Sequence, residues 1–171
     1  MKTSAACEFY QRATTASFRL LSEADLETRL QPFYLGLGFD ARRTRFGCSV
    51  SDDAIVRYCR ELSSKEAMLF GCIEPEGLAG LIEVHPDADF AELAFASIAG
   101  CEKLMIYGHL LQLAAFAAGR RGYRQLLVPT EPIEPEALEL LRSMGQVSIR
   151  DGMAYVDLGE YARLHGLVVG G

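Results

Sequence analysis

Apolar residues recur along this chain in two rhythms, and the changes between them predict an order of elements. Phe18-Arg19-Leu20-Leu21 reads as a short strand. Ser22 followed by Glu23, Asp25 and Glu27 has the form of a helix cap with an acidic first turn. Leu26, Leu30, Phe33 and Leu37 then recur at helical spacing, with Gly36 and Gly38 leaving the end of that helix open. Ser51-Asp52-Asp53 caps a second helix whose apolar face carries Ile55, Tyr58, Cys59 and Leu62. After it the rhythm changes to the near-continuous apolar runs of buried strands. Residues 67–73 form one, residues 74–77 a Pro/Gly turn, and residues 78–84 the returning strand, closed by Pro86 and Asp87. Residues 91–98 complete an antiparallel meander, broken at Ala99-Gly100. A long helix over about 102–119 leads to a strand at 125–128 ended by Pro129, the pattern of a crossover between parallel neighbours. A helix over 134–144 follows, with Pro135 in its first turn and Gly145 at the C′ position. Residues 147–150 and 153–158 are strands joined by Asp151-Gly152, a strong hairpin signal. The tail from 159 to 171 predicts no element.

Composition narrows what such a fold can do. With 171 residues, half of them apolar and 23% charged, the chain makes one domain with a sizeable core. The divisions are an extension over 1–17, a domain over 18–158 and a tail over 159–171. A net charge of −6 argues against nucleic acid or an anionic membrane as partner. The basic cluster Arg42, Arg43 and Arg45 reads as a solvated face. Five scattered cysteines with no C-x-x-C pair predict reduced thiols, no structural zinc or other metal, and a cytoplasmic setting. Residues 1–17 have no apolar signal region, and no stretch approaches the roughly 20 apolar residues of a membrane span.

The order strand, two helices, three-strand meander, helix, strand, helix, hairpin resembles the GNAT acyltransferase superfamily. Residues 91–98 look like the family strand leading into the cofactor loop, and Leu110-Leu111 like the leucine pair of its third helix. Arg121-Gly122-Tyr123 and Leu126-Leu127-Val128 look like the helix exit and fifth strand. Ala137, Leu140 and Gly145 fall on the spacing of the fourth helix, and Arg45-Phe46 before Ser51-Asp52 resembles a bacterial subgroup. The resemblance spans about residues 18–158. It implies an α/β (α+β) fold with a mixed, mostly antiparallel sheet of about seven strands flanked by about four helices.

The same resemblance implies transfer of an acyl group from acetyl-CoA or another acyl-CoA to a small amine or a protein amine. Its cofactor contacts fall on Ile98, Lys103, Tyr107, Gly108 and His109. In the family a glutamine or arginine and two small residues precede the leucine pair, so that backbone N–H groups of a helix start meet the pyrophosphate. Aligned on Leu110-Leu111, this chain has Glu102 first and Met105 and Tyr107 at the small positions, with Gly108 one place late. On the fourth helix, Leu141 stands where many members carry the tyrosine that protonates the leaving thiolate. Tyr155 on the last hairpin is a conceivable substitute. Glu83 and Glu92, on adjacent meander strands, are the candidates for general base, against a plain solvent-facing role. His85 shares the strand face of Glu83, and Cys101 precedes the loop. Two readings follow: an acyltransferase with a weakened grip on its acyl donor, or a non-catalytic module for a protein partner or another small ligand. Leu104, Met105, Ile106 and Tyr107 would form an exposed partner patch or fill the cofactor groove. A homodimer stays open in both.

Overall fold

A computed structural model of the chain describes residues 16–62, 66–98, 103–130 and 135–166. Seven strands form one sheet: β1 (Ser17–Leu20), β2 (Met68–Glu74), β3 (Gly77–Asp87), β4 (Phe90–Ser97), β5 (Gln125–Pro129), β6 (Val147–Arg150) and β7 (Met153–Asp157). Their order is β1-β2-β3-β4-β5-β7-β6, and every neighbouring pair is antiparallel except β4 and β5. The predicted meander, parallel crossover and closing hairpin are all present. Asp151 and Gly152 turn that hairpin with φ of 50° and 73°, the left-handed pair that matches the twist of the flanking strands.

Among the described residues six helices cover the sheet. The first, α1, runs from Glu23–Asp25 through a π-helical turn, Leu26–Leu30, into Gln31–Gly36. Pro32 lacks the N–H that would bond the carbonyl of Thr28, and its ring crowds that carbonyl, a physical reason for the widened turn. Ser22 caps the start in a reciprocal pair with Asp25. The others are α2 (Phe39–Phe46), α3 (Asp52–Leu62), α4 (Lys103–Arg120), α5 (Pro135–Arg142) and α6 (Gly159–Leu164).

Two of these, α2 and α6, lie where the apolar pattern predicts no helix. Strand β3 also runs on through Pro86 to Asp87, past the expected stop. Gly145 is needed for a reason other than a helix end. A Cβ there would stand 2.0 Å from the backbone oxygen of Asp157, so the chain leaving α5 passes too close to β7 for any side chain.

Alternation along the strands separates two cores. Ile82, Val84, Ala91, Leu93, Leu126 and Val156 face α4 and α5, where Leu110 and Leu111 are fully buried. Leu69, Leu81 and Ala96 face α1 and α3 through Leu30, Phe33, Ile55 and Leu62. Each fully buried leucine contributes about 1.5–3 kcal/mol relative to exposure. Helix α4 keeps only a narrow solvent stripe, His109, Gln112, Phe116 and Arg120. It lies close on β3 because Gly80 has no side chain: a Cβ there would meet Ile106 at 2.5 Å. Among the described residues no helix is long and apolar enough to cross a membrane, and no disulfide joins Cys48, Cys59 or Cys72.

Candidate active site

Strands β4 and β5 pair only at Phe90–Glu92 with Gln125–Leu127. Beyond that point β4 continues to Ser97 on β3 and β5 to Pro129 on β7, no longer bonded to each other. The facing backbone edges are left without a sheet partner, and a cavity of about 160 Å³ opens between them. Alternation on β4 sends Leu93 and Phe95 to the α4 face and Glu92 and Ala94 to the opposite face. All four line the cavity, which therefore passes through the sheet. On the α4 side it meets Lys103, Leu104 and Tyr107; on the other, Thr44 and Arg45.

Tyr107 is buried, and its ring meets that of Phe95 edge-on at 4.8 Å between centroids. Its hydroxyl has no hydrogen-bond partner. Burial raises the phenol's pKa, so the group is a protonated donor at neutral pH.

Behind the cavity sits a buried cluster. Glu83 is completely buried on β3. The hydroxyls of Tyr34 and Tyr58 donate to its carboxylate, Arg45 Nη2 lies 2.7 Å from Oε1, and His85 Nε2 lies 2.7 Å from Oε2. A carboxylate only accepts, so that histidine nitrogen carries its proton. Burial alone would raise the pKa of Glu83. The bond from His85, the charge of Arg45 and the two tyrosine hydroxyls outweigh it and hold the group at about 2.

Arg45 is held as firmly. Its guanidinium carbon lies 5.0 Å from the ring centre of Phe46 and 5.4 Å from that of Tyr58, and Nη2 donates to Tyr58 at 2.5 Å. Burial acts to lower its pKa, but the tyrosine and glutamate oxygens around it raise it further, so it stays charged. The three-arginine cluster is thus only partly a solvated face: Arg43 is exposed, Arg42 reaches the Leu35 and Leu37 carbonyls and Asp52, and the Arg45 side chain keeps only 10% of its surface.

Of the residues chosen from the sequence, Glu92, Lys103 and Tyr107 come together at the cavity. Glu92 is exposed at its mouth, opposite His85 on β3. Glu83 faces neither the cavity nor solvent. Ile98 is exposed, its amide bonded to Ala79. Gly108 packs toward Leu140 of α5, and His109 stacks on Phe18 at 4.7 Å while bonding the Met105 carbonyl. Leu141 is fully buried, and Tyr155 lies under the Arg150 guanidinium at 4.0 Å. Of the suspected apolar patch, Ile106 and Tyr107 are buried and Leu104 and Met105 half-buried, so the segment is not an exposed patch. Glu102 and Cys101 lie outside the described residues.

Arg45, Tyr34 and Tyr58 have no role in the sequence-based site. A signal existed for Tyr58, on the apolar face of its helix; Arg45 showed only as one member of a charge cluster.

The comparison with solved structures decides the architecture. An N-acetyltransferase from Staphylococcus aureus Mu50 matches with a TM-score of 0.61 and 16% identity, over 84% of this chain and 98% of that one. The chain has the GNAT fold. A GNAT superfamily phosphinothricin acetyltransferase from Sinorhizobium meliloti, in complex with AcCoA, matches at 0.56 with 15% identity over 82% and 86% of the two chains. The PaiA N-acetyltransferase of Thermoplasma acidophilum, in complex with coenzyme A, matches at 0.54 with 20% identity over 83% and 98%. No family model and no curated protein sequence matches the chain. In this chain the cleft between the splayed parallel strands is lined by Glu92 on one face of the sheet and by Lys103 and Tyr107 on the other.

Proposed function

We propose that this protein transfers an acyl group from a CoA thioester to an amine. What supports this reading is the cleft through the sheet, lined by Glu92 on one face and by Lys103 and Tyr107 on the other. The donor, a substrate here, fits its features. The pantetheine arm is extended and carries amides, which match the unpaired edges of β4 and β5. The cavity compares with the roughly 150 Å³ that holds a benzene ring, enough for the acyl thioester end and not for the nucleotide. Lys103 opens α4 on that side, where the phosphates of the donor would approach. The amine enters from the α2 face, where Glu92 takes its proton and passes it to solvent.

Met105 and Tyr107 in place of small residues weaken the hold on the donor's phosphates and make binding modest. The same observation supports a second reading, a non-catalytic GNAT-fold module, because the Tyr107 ring on Phe95 occupies part of the groove. A thermal-unfolding scan with millimolar acetyl-CoA separates the two. Ligand at a hundred times its Kd stabilises by about 2.7 kcal/mol, a shift of several degrees for a domain of this size. The transfer reading expects that shift, together with release of free thiol in the presence of primary amines. Neither shift nor release leaves the module.

A further inference from the structure

Alternation along β3 and its register with β4 put three polar side chains on the α2 face of the sheet. Glu83 and His85 are two residues apart on β3, and His85 stands directly opposite Glu92 on β4. Side chains paired in this way have Cβ atoms about 4.5–5.5 Å apart. Glu92 lines the cavity, which opens on the β5 side of β4, and His85 adjoins it from the β3 side. The two ring nitrogens of His85 differ. Nε2 donates to Glu83, which is completely buried and ionised, so in the neutral ring Nδ1 is the acceptor. Among the described residues Nδ1 has no hydrogen-bond partner and is not one of the atoms buried without one, and the side chain keeps 29% of its surface. Glu83 cannot turn, because Tyr34, Arg45 and Tyr58 hold it from three helices. A fixed, buried carboxylate therefore aims an imidazole whose basic nitrogen is open to water beside Glu92.

We propose that His85 is the exit for the protons that Glu92 collects, a proposal that rests on the transfer reading above. His85 acts through Glu92 and does not touch the substrate. An amine arrives at neutral pH as an ammonium ion and sheds one proton before it attacks and a second as the amide forms. A carboxylate holds one at a time, and the seated amine and donor close its cavity side. Glu92 takes the first proton and passes it through a bridging water to His85 Nδ1. The imidazolium stays paired with Glu83 and releases that proton from Nδ1 to solvent. Glu92, ionised again, takes the second proton as the nitrogen bonds to the thioester carbonyl carbon and the carbon–sulfur bond breaks. The sulfur leaves with the bonding pair and takes a proton from water, while the second proton follows the first through His85. Each turnover yields an amide, a free thiol and one proton. Of the carboxylates on this face beside His85, Glu83 and Asp87 on its own strand and Glu92 across from it, only Glu92 lines the cavity. The path from substrate to His85 runs through that group alone.

The test compares His85→Gln with His85→Ala. The glutamine amide still donates to Glu83 but carries no proton onward. Its Tm stays within about 2 °C of the parent's, while kcat with acetyl-CoA and primary amines falls about tenfold or more. The KM for acetyl-CoA stays within about threefold, because no contact with the donor is lost. The alanine variant shows the same loss and leaves room for a base from solvent. Its kcat rises about fivefold or more as imidazole is added to about 100 mM, whereas the parent's changes less than about twofold. Undiminished kcat in His85→Gln removes the proposal alone. A loss in His85→Ala that imidazole does not restore also overturns it, since His85 would then be a partner of Glu83 and nothing more. If the unaltered protein neither binds acetyl-CoA nor releases thiol, the transfer reading falls and takes the proposal with it.

Discussion

Replacing Glu83 by glutamine keeps the shape of the side chain and removes its charge from the most enclosed polar site described in the molecule. The carboxyl is held at about 2 against an ordinary 4.5, a difference that corresponds to about 3 kcal/mol of preference for the ionised form in the folded state. Glutamine imitates the neutral form and also strands the largely enclosed Arg45 charge, for which the cost approaches that of breaking a buried pair, about 3–5 kcal/mol. The expected loss is therefore about 3 kcal/mol or more at pH 7, a fall of about 6–12 °C in Tm. The pH dependence follows from the direction of the shift. A carboxyl whose folded value is depressed stabilises fully above its unfolded value, and that contribution disappears as pH falls through the folded one. The gap between parent and Glu83→Gln should thus be widest above about pH 5 and narrow steadily toward pH 2. Urea unfolding followed by circular dichroism at pH 7, 5 and 3 reads both quantities. A loss below about 1 kcal/mol at pH 7 would mean that the four donors around Glu83 do not hold its charge. A gap that stays constant with pH refutes the reasoning equally, because it would be a packing effect.

Glu92→Gln removes the proposed base from an exposed position, so turnover should fall about 10²-fold or more with Tm changed by no more than about 1–2 °C. Steady-state thiol release beside a melting scan checks both, and undiminished turnover removes Glu92 from the mechanism. Gly145→Ala drives a methyl group to 2.0 Å from the Asp157 oxygen, and the backbone must move by more than an ångström to admit it. The expected destabilisation is about 1–3 kcal/mol, read by urea unfolding at pH 7, and a neutral result would show that the turn after α5 yields freely.

What could be read from the sequence divides along physical lines. The meander, the parallel crossover and the hairpin were legible because each rests on local information. Continuous apolar runs mark β2 to β4, and the leucine pair lies on a helix that is almost all core. Asp151-Gly152 dictates its own turn. Helix α2 was not legible because it buries no residue completely, so no apolar period betrays it. Its loss from the reading concealed Arg45, whose partners Tyr34, Tyr58 and Glu83 come from three other elements. Contacts spanning 25 and 49 residues leave no trace in spacing. Glu83 was selected for its place on a central strand; its complete burial could be seen only once α1, α2 and α3 were folded over it. Gly145 shows the same limit from the other side, since its position at a helix end suggested a cap while the need arises from β7.

The two carboxylates chosen from the meander differ by environment, and the proposed function uses only one of them as base. A general base must lose and regain a proton near the working pH and must touch the substrate. Glu83 does neither, since four donors hold it ionised down to about pH 2 and neither cavity nor solvent reaches it. Its charge is matched by Arg45, so the pair adds no net charge behind the cleft. What the pair supplies is rigidity: Arg45 is fixed between aromatic rings and a carboxylate and forms a wall of the cavity that cannot swing away. That wall stands on the same face as Glu92, opposite Lys103, Leu104 and Tyr107. Exchanging the two environments would bury the proposed base and expose the structural anchor, and neither could then perform the other's part.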